Sequence, residues 1–176
     1  MLKMKHKIIL LYSWLIRTIL FFLPDIPIIM VFRGWLYGIC MKKCGKKFQV
    51  THDTIIRCLE YISIGNNCFI GNGCFVLADG PIYIEDDVLI GPHTVIVSGN
   101  HTEKNGSFRF GEIKIGEIYI SKGCWVGANC SLTMNSHLPE CSILAANSVL
   151  NKKYYEKNCI YGGAPAKKIK ILKTNI

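Results

Sequence analysis

The sequence predicts an all-β parallel β-helix preceded by a helical segment, and three observations predict it. Aliphatic residues recur every six positions. They run Ile64, Ile70, Val76, Ile82, then after a two-residue slip Ile84, Ile90, Ile96, and after an interruption Ile120, Val126, Leu132, Leu138, Leu144, Leu150. Glycine follows directly at Gly65, Gly71, Gly91 and Gly127, with Asn66, Asn67, Asn72 and Asn129 nearby, as corners require. Four positions after the aliphatic residue stands a small one: Cys68, Cys74, Cys124, Cys130, Ser142, Ser148. A six-residue period fits neither a helix nor an alternating strand; it is the period of hexapeptide repeats wound into a solenoid. Each hexad supplies one short strand and one corner. Three hexads make a coil, so residues eighteen apart are expected to stack into a core that no coil could bury alone.

Residues 1–47 precede the repeats and differ in character. Lys3, Lys5 and Lys7 lead into the apolar run Ile8–Leu23, Pro24 and Pro27 break it, and a second apolar stretch, Ile26–Met41, carries Arg33. Lys42, Lys43, Lys46 and Lys47 follow. As a helix the first run spans about 24 Å, against a hydrocarbon core of about 30 Å. Arg17 near its middle costs about 3 kcal/mol in a membrane. A spanning helix is therefore not expected. A cleaved signal peptide is disfavoured too, since no small-x-small site precedes Pro24. Two readings stand. The helices lie in a membrane surface, which the lysines and Tyr12, Trp14, Trp35 and Tyr37 favour, or they cover the end of the solenoid. Residues 48–160 form the β-helix, with an interruption at 98–119, and residues 161–176 form a basic tail.

The 176 residues suit one domain with a sizeable core. Half are hydrophobic, 19% are charged, and the net charge of +9 suits an acidic partner or an anionic surface. No zinc-finger spacing, helix-turn-helix pattern or aromatic-basic RNA motif appears, so nucleic acid is not the expected partner. Nine cysteines, an odd count, cannot pair fully. Five lie inside the repeats, at 68, 74, 124, 130 and 141, most at the small inward position. They read as core residues of a reducing compartment rather than as a disulfide framework or metal ligands.

The interruption holds Ser98-Gly99-Asn100-His101-Thr102-Glu103 and then Lys104-Asn105-Gly106-Ser107-Phe108-Arg109-Phe110. A long excursion from a rigid scaffold usually serves function. Its histidine, His101, sits at the solenoid's edge. It reads either as a general base, since imidazole accepts a proton near neutrality, or as a hydrogen-bonded loop histidine. His52 and His137 read as corner or surface residues.

Several segments, in order, resemble the hexapeptide-repeat O-acetyltransferases of the maltose/galactoside acetyltransferase type, especially the branch acting on capsule, exopolysaccharide or O-antigen sugars. They are Cys44-Gly45-Lys46-Lys47-Phe48, Ile84-Glu85-Asp86-Asp87-Val88-Leu89-Ile90-Gly91-Pro92, Asn100-His101, Gly123-Cys124-Trp125-Val126-Gly127-Ala128 and Gly162-Gly163-Ala164-Pro165-Ala166-Lys167. The resemblance covers about Cys44 to Lys170. It implies a left-handed β-helix, a handedness that period alone cannot supply. It also implies a homotrimer with active sites between subunits, acetyl-CoA as donor with no metal, and a sugar or polysaccharide acceptor; the basic, apolar N-terminal segment would hold the chain at the inner face of the cytoplasmic membrane.

The resemblance makes His101 the base that takes a proton from a sugar hydroxyl, with direct transfer and no covalent intermediate. Glu103 is close enough in sequence to orient it; a surface carboxylate is the other reading. On the acceptor side stand Asp79, Asn100, His93 and Arg109. Asp79 reads equally as a turn residue and Arg109 as a loop residue, and His93 departs from the family's asparagine. On the donor side stand Trp125, Gly127, Ala128, Ala145, Ala146 and Gly163, whose small side chains let an extended chain approach. Lys167 and Lys170 suit phosphates. Corner geometry, loop packing and a solvated tail are the alternatives for these. Leu132-Thr133-Met134-Asn135 lacks the Pro-Gly turn of many relatives, and Pro139 follows Leu138 where glycine is usual. The rivals are an N-acetyltransferase of a nucleotide-linked amino sugar, a metal-dependent enzyme of the γ-carbonic anhydrase kind, which needs a third histidine beside His93 and His101, and a non-catalytic scaffold.

Overall fold

The computed structural model describes residues 2–173; Met1 and the last three residues of the basic tail, 174–176, lie outside the described residues. The chain is a left-handed parallel β-helix of about six turns carrying two N-terminal helices. Three flat faces form the prism. The first stacks strands Lys43–Cys44, Ile62–Ile64, Ile82–Ile84, Ile118–Ile120 and Ser136–Leu138. The second stacks Gln49–Val50, Phe69–Ile70, Leu89–Ile90, Trp125–Val126, Ile143–Leu144 and Cys159–Gly162, and Lys167–Ile171 closes it as an antiparallel edge. The third stacks Ile55–Arg57, Phe75–Leu77, Val95–Val97, Ser131–Thr133 and Val149–Leu150. The first strand thus begins before residue 48, and much of 161–173 is strand.

All thirteen aliphatic residues of the grid are buried. Val50 and Ile56 extend the inward ladder below Ile64, and Cys159 and Tyr161 extend it above Leu150. The small positions are filled as expected. Cys68, Cys74, Cys124 and Cys130 are buried, and each donates its S–H to a carbonyl of the next coil, for instance Cys124 to Pro139 at 3.0 Å. Burial pushes the Cys68 and Cys74 thiols up to about 11 and Cys124 up to about 12, so these sulfurs are protonated packing groups rather than nucleophiles. Cys141 is the exception among the repeat cysteines: it is exposed, at a corner with φ 53°.

The spacing of the stack needs correction. Eighteen residues separate partners only in the upper coils, where Ile120 pairs with Leu138. In the lower coils the period is twenty: Cys44 pairs with Ile64 and Ile64 with Ile84. The cause is a longer corner between the third and first faces, formed by Leu59–Tyr61 in one coil and residues 78–81 in the next. First-face strands turn two side chains inward in both kinds of coil, Ile62 with Ile64 and Ile82 with Ile84 below, and Ser136 with Leu138 above. The slip in the grid is therefore a corner enlarged by two residues, and the interruption at 98–117 leaves from that same corner one coil higher.

Helix α1, Leu2–Leu20, and helix α2, Pro27–Gly38, pack against the lower coils. Ile9, Ser13, Ile16 and Leu20, three or four apart, form the buried stripe of α1. Pro27 at the first position of α2 fits there, since its missing N–H has no helical partner anyway. The layer is fixed by a staple that sequence did not reveal. Arg33, 1% exposed, donates to Val50 O at 2.5 Å, to the carbonyls of Leu20 and Leu23, and to Asp25 at 3.0 Å. Asp25 also receives the His52 backbone N–H at 2.9 Å and lies 2.7 Å from His52 Nδ1. Partial burial raises the Asp25 pKa, but the hydrogen bonds from His52 and Asn72 outweigh it, leaving the carboxyl below its ordinary value of 3.8. A depressed carboxyl stabilises the fold above its unfolded pKa and loses that contribution as pH falls through its folded value. Urea unfolding is expected to show a lower midpoint at pH 3 than at pH 6, with the loss reduced in Asp25→Asn.

Candidate active site

Residues 98–117 fold into a hairpin rather than an irregular loop. Gly99–His101 pairs antiparallel with Ile113–Ile115, His101 opposite Ile113. At the tip Lys104 and Ser107 exchange backbone hydrogen bonds of 2.9 and 3.1 Å across Asn105 and Gly106, both with positive φ. That is a primed two-residue turn, for which Asn-Gly is the strongest short signal in a sequence. The dipeptide was therefore readable. Glu103 accepts the Gly106 N–H, so its carboxylate is engaged by the hairpin's own turn.

The base of the hairpin is clamped to the coil below. Buried Ser98 donates to Gly80 O at 2.8 Å and accepts the Gly80 N–H at 2.9 Å. Gly116 N–H donates to Ser98 O at 3.0 Å. A side chain at Gly99 would strike the Asp79 carboxylate, so Asp79 abuts the strand two residues before His101. Asn100 and His101 are exposed, and among the described residues no side chain hydrogen-bonds the His101 ring. The imidazole thus projects from the clamped hairpin into solvent. Arg109 lies near the tip, its guanidinium 5.8 Å from the Phe110 ring centroid.

The remaining expected residues gather at a different edge, where the second face turns into the third. Gly127 and Ala128, then Ala145 and Ala146, then Gly163 occupy successive levels there. The rungs are Gly127 N–H to Leu144 O at 2.8 Å, Asn147 N–H to Ala128 O at 2.9 Å and Val149 N–H to Gly163 O at 2.9 Å. A Cβ at Gly127 would stand 2.6 Å from Ala146 N, so glycine is required by the stack itself. Ala146 and Gly163 are exposed, which leaves a narrow backbone-lined track. His93 belongs to this edge, one level below Asn129, with φ 57° and its ring over Gly73. Trp125, 48% exposed, stands outward on the second face between Leu89 and Ile143. Lys167 pairs with Gly162 beside the top of the track, and Lys170 pairs with Ile160 further along the edge strand.

The structure therefore divides the expected residues into two groups. His101, Asn100, Asp79 and Glu103 share the third-to-first corner; His93, Gly127, Ala128, Ala145, Ala146 and Gly163 share the second-to-third corner, with Trp125, Lys167 and Lys170 on the second face beside it. Residues 94–98 lie between them, an extended path of about 16 Å. The two histidines expected at corners or on the surface are both accounted for outside the site. His52 sits in the corner after Gln49–Val50 and serves the Asp25 staple, and His137 is a half-buried outward residue of a first-face strand, its Nε2 2.9 Å from Ser121 Oγ. The described residues contain no group of three His, Cys, Asp or Glu side chains placed to hold a metal.

No protein-family model matches the chain. Its structure is similar to that of the hexapeptide-repeat acetyltransferase VCA0836 from Vibrio cholerae, with 25% identity, a TM-score of 0.82, and coverage of 95% of this chain and 92% of that one. It is also similar to a maltose O-acetyltransferase from Clostridium difficile 630, at 21% identity and a TM-score of 0.79 over 94% of this chain and 89% of that one. A third likeness is to AntD, an N-acyltransferase from Bacillus cereus, at 22% identity and a TM-score of 0.62 over 79% and 87% of the two chains.

Proposed function

We propose that the chain is an acetyl-CoA-dependent O-acetyltransferase of a sugar hydroxyl, acting on a cell-surface polysaccharide or its precursor at the inner membrane face. The observation that carries this reading is an unencumbered imidazole on a clamped hairpin, in a fold otherwise made of interlocked rungs. His101 takes the hydroxyl proton as the oxygen attacks the thioester carbonyl; the tetrahedral adduct expels the coenzyme thiolate, and the protonated imidazole returns the proton to sulfur. The Gly127–Ala146–Gly163 track suits an extended donor arm, and Lys167 at its upper end suits phosphate. One VCA0836 structure was obtained with acetyl-coenzyme A, which favours the same donor here.

One chain holds the base and the donor track at separate corners, so a site using both needs two copies. The hairpin supports this. Phe108 and Phe110 are 64% and 70% exposed, an apolar surface that a neighbouring copy would cover. A homotrimer, with His101 of one copy facing the track of the next, meets both requirements. Asp79, Asn100, His93 and Arg109 then surround the acceptor. The AntD likeness keeps amino-sugar N-acylation as a second reading, and a comparison of hydroxyl and amino acceptors separates the two.

The test is deletion of the gene followed by mass analysis of the surface polysaccharide. An acetyl group should be lost, then restored by the intact chain but not by His101→Ala. Restoration by the alanine variant would reject the assignment of the base.

A further inference from the structure

The helical layer is apolar on both sides. Opposite the buried stripe of α1, Ile8, Leu11, Leu15 and Ile19 fall three or four apart on one outward face and are 40–69% exposed. Phe22, just past the helix, is 91% exposed. On α2, Ile28, Phe32 and Trp35 are 75%, 47% and 60% exposed, with Phe32 and Trp35 stacked at 5.9 Å. Met4, Ile8 and Ile39 line one hollow, so the outward surfaces of the two helices join. A helix at a water-facing surface normally turns polar residues outward; this layer does not.

Charge identifies what covers it. Residues 1–52 hold nine Lys and Arg and one acid, Asp25, a net of +8; residues 53–176 hold twelve and eleven, a net of +1. Nearly all the formal charge of +9 therefore belongs to this layer. Asp25 is held by Arg33, leaving Lys3, Lys5 and Lys7 on α1 and Lys46 and Lys47 beside Phe32 and Trp35 to flank the apolar face, while Lys42 and Lys43 turn to the first face of the solenoid. A second copy seated face to face would oppose +8 with +8. A bilayer of anionic lipids offers an apolar interior and a negative surface together. Among the described residues no helix is long and apolar enough to cross a membrane, which fits helices lying in its plane.

The same layer borders the acceptor side of the candidate site. Lys3 and His6, on the flank of α1, line a cavity of about 370 Å³ with Tyr61, Asp79, Ile113 and Ile115. Its far wall is the hairpin that carries His101. The near wall belongs to the helix whose outward face is apolar, so the cavity lies within about one helix diameter, 10 Å, of that face. Headgroup layers are about 5–8 Å thick on each side of the hydrocarbon.

We propose that the outward faces of α1 and α2 dock on an anionic phospholipid bilayer and set the Lys3–Asp79 cavity at the headgroup layer, where it meets a sugar carried on a membrane lipid. The nature of the acceptor rests on the acetyltransferase reading; the docking does not.

Single-tryptophan variants of the full chain test it. One keeps Trp35, one keeps Trp125, and one carries Tyr61→Trp, the other tryptophans being phenylalanine. Each is mixed with vesicles of phosphatidylcholine and phosphatidylglycerol labelled either with bromine in the acyl chains or with nitroxide on the headgroup. Acyl bromine should quench Trp35, headgroup nitroxide should quench the Tyr61→Trp reporter, and neither should quench Trp125. Omitting phosphatidylglycerol, or raising the salt to about 0.5 M, should lower the sedimented protein at least about tenfold. Absence of sedimentation with anionic vesicles overturns the proposal, as does quenching of Trp125 equal to that of Trp35. A Tyr61→Trp reporter silent to headgroup nitroxide overturns the placement of the cavity. If Leu11→Ser with Phe32→Ser instead reduces the oligomer and vesicles bind neither protein, the face belongs to a second copy. His101→Ala should dock like the parent, so failed acetyl transfer and failed docking are read separately.

Discussion

Replacing His101 with alanine should lower the rate of acetyl transfer by about 10²–10⁴-fold, the usual contribution of a positioned general base. The KM for acetyl-CoA should hardly move, because the track proposed for the donor lies on another corner of the prism. Stability should not move either, because the imidazole is exposed and makes no hydrogen bond among the described residues. Steady-state kinetics with urea unfolding on the same preparations checks all three. Glu103→Gln refines the result. Glutamine still accepts the Gly106 N–H, so the hairpin tip is preserved while the charge is removed. A fall in kcat then reports a carboxylate acting on the imidazole, and an unchanged kcat reports a purely conformational role at the tip.

Arg33→Met should destabilise the protein by about 3–5 kcal/mol, the range for breaking one side of a buried charge pair. Methionine fills similar space but donates nothing. The carbonyls of Leu20, Leu23 and Val50 lose their donor, and Asp25 loses a cation. The effect exceeds that of a surface ion pair because the guanidinium is 1% exposed and joins three pieces of chain: the end of α1, the interhelix turn and the second face. Urea unfolding measures it. A change below about 1 kcal/mol would show that the helices are held by apolar contact alone.

The parts of this fold that were legible in the sequence are those that repeat. An inward residue every six positions must be aliphatic because the prism interior is narrow, and the same demand at every level makes the pattern visible. Ser142 and Ser148 are buried like the cysteines they replace, for the same reason. What was not legible depends on single contacts between distant segments. Arg33 sat in an apolar run with nothing to mark it as a buried clamp, since its partners are carbonyls that any sequence provides. Lys3, His6 and Tyr61 could not be tied to Asp79, because the cavity between them exists only once α1 lies against the enlarged corners. The outward face of α1 was obscured for another reason: both of its sides are apolar, so no polar stripe announced which one faces the solenoid. Within the candidate site, His101 was marked by its position in a long excursion, whereas its separation by a whole face from the track of Gly127, Ala146 and Gly163 required the winding of the chain to be known.

The rungs on either side of the hairpin ignore it. Ile84 pairs with Ile120 and Val97 with Thr133, although the interruption lies between the members of both pairs. The appendage thus adds length to the polypeptide without interrupting the rod. Such an architecture lets natural variation, or a protein engineer, exchange one protruding arm for another and retune what is recognised while inheriting an unchanged chassis.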